Sequence, residues 1–84
     1  MAKTREEFMD TMDNAVGCYV YFVDDNGCMH FLADDSYNGV LCDSLADAFM
    51  CADGEAELLA FFCNIYETKN IYKVVKLHTN VEWL

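Results

Sequence analysis

The sequence predicts an α+β domain, in which an antiparallel sheet of three to four strands carries two main helices packed on one of its faces. Three observations lead to this expectation. Two runs of aromatic and β-branched residues flank an Asn-Gly turn, a helical pattern lies on either side of that region, and a β-rich segment follows the second helix. The predicted order is α-β-β-β-(short α)-α-β within one small acidic domain, residues 1–84.

The first helix is predicted over about residues 4 to 15. Thr4 and Glu7 have the spacing of a capping box, in which each side chain bonds the backbone of the other residue. Gly17 is the type of residue that commonly ends a helix, and it lies just beyond the predicted last turn. The side opposite its apolar stripe carries three carboxylates spaced four and three residues apart: Glu6, Asp10 and Asp13.

A three-stranded meander is predicted next. The runs Cys18 to Val23 and Cys28 to Ala33 are joined by Asp-Asp-Asn-Gly, which is typical of a tight hairpin turn. A second turn over 34–39 leads to the short apolar piece Val40 to Cys42. Each of the two turns carries a pair of aspartates: Asp24 and Asp25 in the first, Asp34 and Asp35 in the second.

The second half of the chain predicts a short helical segment and then a long helix. Ser44 and Asp47 have capping-box spacing. Acidic residues from Asp53 to Glu57 suit the first turn of a helix that ends near Tyr66, because carboxylates complement the positive end of the helix dipole. Apolar residues cover more than half of the circumference of this helix, which predicts the most buried element of the domain.

The last strand is predicted over Asn70 to His78. Three of the five basic residues lie in or beside it: Lys69, Lys73 and Lys76. Lysine discourages strand-to-strand aggregation, so this pattern favours a position at the edge of the sheet.

Charge is the most informative property of the sequence. The sequence has fifteen acidic and five basic residues, which gives a net charge of −10. No Lys or Arg occurs between Glu6 and Glu67. Direct binding to DNA, RNA or anionic lipid is therefore disfavoured. The sequence shows no export signal and no apolar run long enough for a membrane span, and its odd number of cysteines predicts buried, reduced thiols in the cytoplasm.

No set of catalytic residues is recognisable, so we expect a protein that is not an enzyme and holds no cofactor. His30 alternates with Cys28 and Leu32, which is the pattern of a half-buried strand residue. Cys28 and His30 are one loose pair, whereas structural zinc sites show closely spaced ligand pairs. The aspartate turns lack the closing Glu of a calcium-binding loop, so no metal is expected.

The sharper hypothesis concerns a partner protein. The base-free stretch predicts an extended anionic face that competes with nucleic acid for a basic surface, formed by the following residues: Glu6, Asp10, Asp13, Asp24, Asp25, Asp34 and Asp35. A solvated face without a partner is the alternative for these charges. The apolar content of 55% also leaves open a homodimeric structural or regulatory module with an exposed apolar patch, formed with Tyr37, Trp83 and Leu84.

The chain resembles, in composition and in its helix-and-sheet pattern, the small acidic phage-encoded inhibitors that mimic nucleic acid, anti-CRISPR proteins among them. The segments YVYFVDDNG, SLADAF, GEAELLAFF and YKVVKL are also similar to small phage and Gram-positive bacterial proteins of unknown function. These resemblances imply a phage or mobile-element origin and action in the host cytoplasm. They further imply, as partner, a basic nucleic-acid-binding protein such as a nuclease or CRISPR effector.

Overall fold

The structure is a computed structural model that describes residues 2–11, 16–35, 40–52, 54–67, 69–78 and 81–84. Six short strands, two α-helices and one 3-10 helix make up these parts of the chain. In chain order they are β1 (Lys3–Thr4), α1 (Arg5–Thr11), β2 (Gly17–Val23), β3 (Cys28–Leu32), β4 (Leu41–Cys42), the 3-10 helix (Leu45–Asp47), α2 (Glu55–Tyr66), β5 (Lys73–Leu77) and β6 (Val81–Trp83).

A curled, half-barrel-like sheet of six antiparallel strands dominates the fold. The strand order is β1-β3-β2-β5-β6, and β4 also pairs with β3. The predicted α+β class, with three to four strands and two main helices, is therefore wrong. Within the described residues, α2 is the one helix longer than seven residues. No helix there is long and apolar enough to cross a membrane.

The prediction lacks strands β1 and β6, and β4 is shorter than predicted, which explains why the predicted α+β class is wrong. Strands β1, β4 and β6 are two or three residues long. Such segments are too short to show an alternating pattern in the sequence, and only pairing with a longer neighbour makes them strands.

The central hairpin of β2 and β3 is confirmed, with Tyr21 opposite Phe31. Its turn is fixed by Asp24, whose Oδ1 accepts hydrogen bonds from the backbone N–H groups of Asn26 and Cys28, both at 2.9 Å. Gly27 has a φ of +82°, which a side chain would oppose. The Asp-Asp-Asn-Gly sequence therefore forms this turn through local chemistry.

The lysine-bearing strand β5 lies inside the sheet, so the predicted edge position is wrong. It pairs with β2 on one side, where Val74 is opposite Val20, and with β6 on the other, where Val75 is opposite Trp83. The interior strand can carry lysines because Lys73 is exposed and Lys76 forms an ion pair with α2. The Lys76 Nζ lies 3.2 Å from the Glu57 Oε1.

Each face of the sheet carries its own core, because successive side chains of a strand point to opposite faces. Helix α2 covers one face, which includes Val20, Phe22 and Leu32. The other face holds Tyr21 and Phe8, the latter brought by α1. The expectation that both helices pack on one face is therefore also wrong.

One of the two predicted capping boxes forms, and the other does not. At the start of α1, the Glu7 N–H donates to Thr4 Oγ1 at 3.2 Å and the Thr4 N–H donates to Glu7 Oε1 at 3.0 Å, so this box is confirmed. Residues 12–15 of the predicted first helix lie outside the described parts of the chain. The second box does not form, because the Ser44 hydroxyl donates to the side chain of Asp47 instead of capping the backbone.

Candidate functional site

The two aspartate pairs lie at opposite ends of strand β3. Asp24 and Asp25 occupy the turn before the strand, whereas Asp34 and Asp35 follow its last residue. Five residues of strand span roughly 17 Å. The two aspartate pairs are therefore two separate acidic regions, one at each end of β3.

Helix α1 presents the carboxylates of Glu6 and Asp10 to solvent. They are one turn of helix apart and therefore lie on the same side of α1. The third predicted member of this row, Asp13, lies outside the described residues.

His30 is held between two aspartates on the face of the sheet that α2 covers. Its Nε2 lies 2.8 Å from Asp24 Oδ2, and its Nδ1 lies 2.9 Å from Asp43 Oδ1. The imidazole also stacks on the ring of Phe22, with centroids 5.0 Å apart. This Asp24–His30–Asp43 clamp ties the β2–β3 turn to the segment after β4, and nothing in the residue pattern predicts it.

The clamp favours the doubly protonated ring. Hydrogen bonding to Asp24, followed by the hydrogen bond and charge of Asp43, raises the pKa of His30, and partial burial opposes this. The hydrogen bond with His30, together with backbone N–H donors, lowers the pKa of Asp24. An imidazolium donates from both nitrogens and has no free lone pair to take up a proton. The two carboxylates therefore hold the imidazole from both sides and link the β2–β3 turn to the segment after β4.

The buried thiols are poor nucleophiles. Burial, with smaller contributions from nearby carboxylates, raises the pKa of Cys51 to about 11. Burial likewise raises the pKa of Cys63. Both thiols stay protonated at neutral pH, whereas the thiolate is the reactive form. Within the parts of the chain that the structure describes, no three His, Cys, Asp or Glu side chains are grouped to hold a metal ion.

The outward face of α2 is apolar, which overturns the expectation that this helix is the most buried element. We call Leu58, Phe61 and Ile65 the outer stripe; their exposed fractions are 57%, 58% and 52%. The residues that α2 buries against the sheet are mostly small: Ala56, Leu59, Ala60 and Cys63. Positions 58, 61 and 65 follow the i, i+3, i+7 spacing of one helix face, so the stripe was visible in the sequence but was assigned to the core.

A shallow pocket of about 160 Å³ lies at the N-terminal end of the outer stripe. Leu58 and Leu59 supply its apolar lining, and Asp35 and Glu55 supply carboxylates. Glu55 also accepts a hydrogen bond at 2.9 Å from the Ala52 N–H through its Oε1. One of the two acidic regions thus adjoins the exposed apolar face of α2.

Comparisons with protein-family models, with curated proteins and with solved structures found no match to this chain. The fold and the site geometry are therefore the basis for any assignment of function.

Proposed function

We propose that this chain is a non-enzymatic binding protein that inhibits a basic nucleic-acid-binding protein, such as a nuclease or CRISPR effector, in the cytoplasm of a host cell. The single observation that carries the proposal is a net charge of −10 whose carboxylates include many at exposed positions. Exposed examples come from three separate elements: Glu6 and Asp10 of α1, Asp25 of the hairpin turn, and Asp35 after β3.

The physical basis is competition for the same cations. A nucleic-acid-binding surface holds phosphates with Lys and Arg, and exposed carboxylates offer those side chains alternative partners. The folded backbone holds the residues that bear these carboxylates in place before binding, which reduces the entropy that association must overcome. The two acidic regions at the ends of β3 would contact two separate basic areas of such a surface.

The test is capture from a bacterial lysate, with the chain immobilised and the salt concentration varied. We expect the captured proteins to bind nucleic acid, to be released between roughly 0.15 and 0.5 M NaCl because charge attraction is screened, and to be displaced by added duplex DNA. Capture that is equally strong at 0.15 and 1 M NaCl, or that DNA does not displace, contradicts the proposal.

A matched pair of variants sharpens this test. Glu6→Gln with Asp10→Asn and Asp25→Asn removes three exposed charges while preserving side-chain shape, and we expect it to weaken capture. Thr4→Ser, which keeps the cap of α1, is the control and should leave capture unchanged.

A homodimeric module is the second candidate, and the outer stripe favours it. Two copies that pair through α2 would cover Leu58, Phe61 and Ile65 from water. However, each copy carries a charge of −10, and this repulsion opposes pairing at low salt. Sedimentation velocity over a range of protein and salt concentrations separates the candidates, because the second requires a dimer that becomes more stable as salt is added.

A further inference from the structure

We infer that the outer stripe of α2 is the apolar anchor of the surface that binds the partner, and that the pocket beside it accepts a Lys or Arg side chain. The inference rests on the proposed function, since it takes the partner to be basic. It adds that the partner presents apolar residues among its cations, so that binding does not depend on charge alone.

The exposure of the stripe is the first argument. Leu58, Phe61 and Ile65 are each more than half exposed, although α2 already buries another face against the sheet. These three side chains therefore contribute little to the core. An apolar row on the outer side of a helix is the arrangement by which amphipathic helices enter grooves of partner proteins.

Charge complementarity is the second argument. At 100° per residue, Glu55 projects about 60° to one side of Leu58 and Glu57 projects about 100° to the other side. Both glutamates are exposed, although Glu57 also contacts Lys76. The stripe thus has an apolar centre and an acidic border, which is the usual anatomy of an interface with apolar anchors inside a polar rim. A partner that fits it has an apolar groove bordered by cations.

The pocket is the third argument. Leu58 and Leu59 line it together with Asp35 and Glu55. A Lys or Arg side chain has the matching chemistry, because its aliphatic stem packs on apolar surface while its cationic end pairs with carboxylates. A second copy of this chain fits less well, since it would bring its own glutamates to the same acidic border.

Two synthetic peptides of equal length and charge serve as probes. One is an amphipathic helix of Leu and Lys, and the other has Ser in place of every Leu. Titration calorimetry at 50, 150 and 500 mM NaCl measures both affinities. We expect the wild-type chain to bind the Leu/Lys peptide at least tenfold more tightly than the Lys/Ser peptide, and to retain part of this preference at 500 mM NaCl.

The deciding variant is Phe61→Ser with Ile65→Ser. It should remove the preference for the Leu/Lys peptide and leave the affinity for the Lys/Ser peptide unchanged. The matched control is Val16→Ser with Val40→Ser, which removes two exposed apolar side chains outside α2 and should keep the preference. Asp35→Asn with Glu55→Gln should weaken binding of both peptides and reduce its dependence on salt; Gln at position 55 can still accept the Ala52 N–H.

The outcomes separate the inference from the proposed function. If the Phe61/Ile65 variant binds both peptides as the wild type does, the inference is wrong while docking by charge stands. If neither peptide binds at 50 mM NaCl, the proposed function fails as well. A wild-type dimer that this variant abolishes would assign the stripe to a second copy and overturn the inference.

Discussion

The guanidinium carbon of Arg5 lies 3.9 Å from the centroid of the Trp83 ring, so the first residue of α1 covers the last residue of β6. The edges of the same indole contact Tyr21 and Phe8, at centroid distances of 5.5 and 6.0 Å. Trp83 therefore joins α1 to strand β2 on one face of the sheet. Trp83 is partly buried against this core, whereas Leu84 beside it is 53% exposed.

Replacing Trp83 tests the role of this contact in stability. We expect Trp83→Ala to lower the free energy of unfolding by about 3 kcal/mol, because the ring contacts of a partly buried indole are lost. Arg5→Ala should cost about 0.5–1 kcal/mol, the usual range for an exposed cation–π contact. Urea denaturation followed by circular dichroism measures both. Equal costs for the two variants would contradict this account of the contact.

Among the glycines that the structure describes, Gly17 is the one whose replacement should be most harmful. Its φ is +115°, and a Cβ there would lie 2.6 Å from the Met50 Cγ. Gly27 has a φ of +82° with no atom within 4 Å of a Cβ position, so it provides a matched comparison. We expect Gly27→Ala to cost about 1 kcal/mol from backbone strain, and Gly17→Ala to cost about 2 kcal/mol because its φ lies further from the left-handed region and the exposed Met50 side chain must also shift. Thermal unfolding measures the stability of the two variants, and we expect Gly27→Ala to be the more stable.

The Asp24–His30–Asp43 clamp predicts a pH-dependent stability. The folded state raises the pKa of His30 above its ordinary 6.5, so the stabilisation is complete below that value and is lost as the pH rises through the raised folded pKa. Wild type should therefore exceed His30→Gln most strongly at the acidic end of a series from pH 5.5 to 8.5. Asp43→Asn should reduce this dependence only in part, because Asp24 remains.

Parallel stability curves for wild type and His30→Gln across this range would mean that the clamp does not act through protonation. The series stops at pH 5.5 because Asp24 contributes in the opposite sense. Its lowered pKa gives stability that is present above its ordinary 3.8 and is lost as the pH falls through the folded value.

The two sides of α2 should respond differently to mutation. Leu59 is 5% exposed within the core, and Leu59→Ala should cost about 2–4 kcal/mol. Phe61, which is 58% exposed and contacts the ring of Phe62, should tolerate Ser with a cost of about 1 kcal/mol or less. Chemical denaturation measures both. A cost for Phe61→Ser that approaches that of Leu59→Ala would mean that the stripe supports the folded chain itself.

Local chemistry explains what the sequence allowed us to predict. The hairpin turn is formed by Asp24 and Gly27, the start of α1 by Thr4 and Glu7, and each pair lies within four residues of chain. Helix α2 also ends at Tyr66, as predicted. Such features depend on neighbours in sequence, and the residue types alone are enough to identify them.

Features that depend on distant neighbours could not be predicted. The clamp joins His30 to Asp43, thirteen residues later, because β4 pairs with β3 and brings the following residue to the ring. The interior position of β5 depends on its pairing with β2 and β6, and its lysines alone suggested an edge. Apolar residues occur on most sides of α2, so the sequence pattern does not indicate which side packs against the sheet. The side that packs there carries small residues such as Ala56 and Ala60.

The pairing of β2 with β5, in which Tyr19 is opposite Val75, has a consequence for synthesis on the ribosome. The middle of the sheet closes only after β5, which begins 56 residues after the start of β2, has left the exit tunnel. Until then, the nascent β2–β3 hairpin has one long flank of backbone N–H and C=O groups without its permanent partner. Chaperones would find this flank accessible during elongation, and the sheet is expected to finish folding only after β5 has been synthesised.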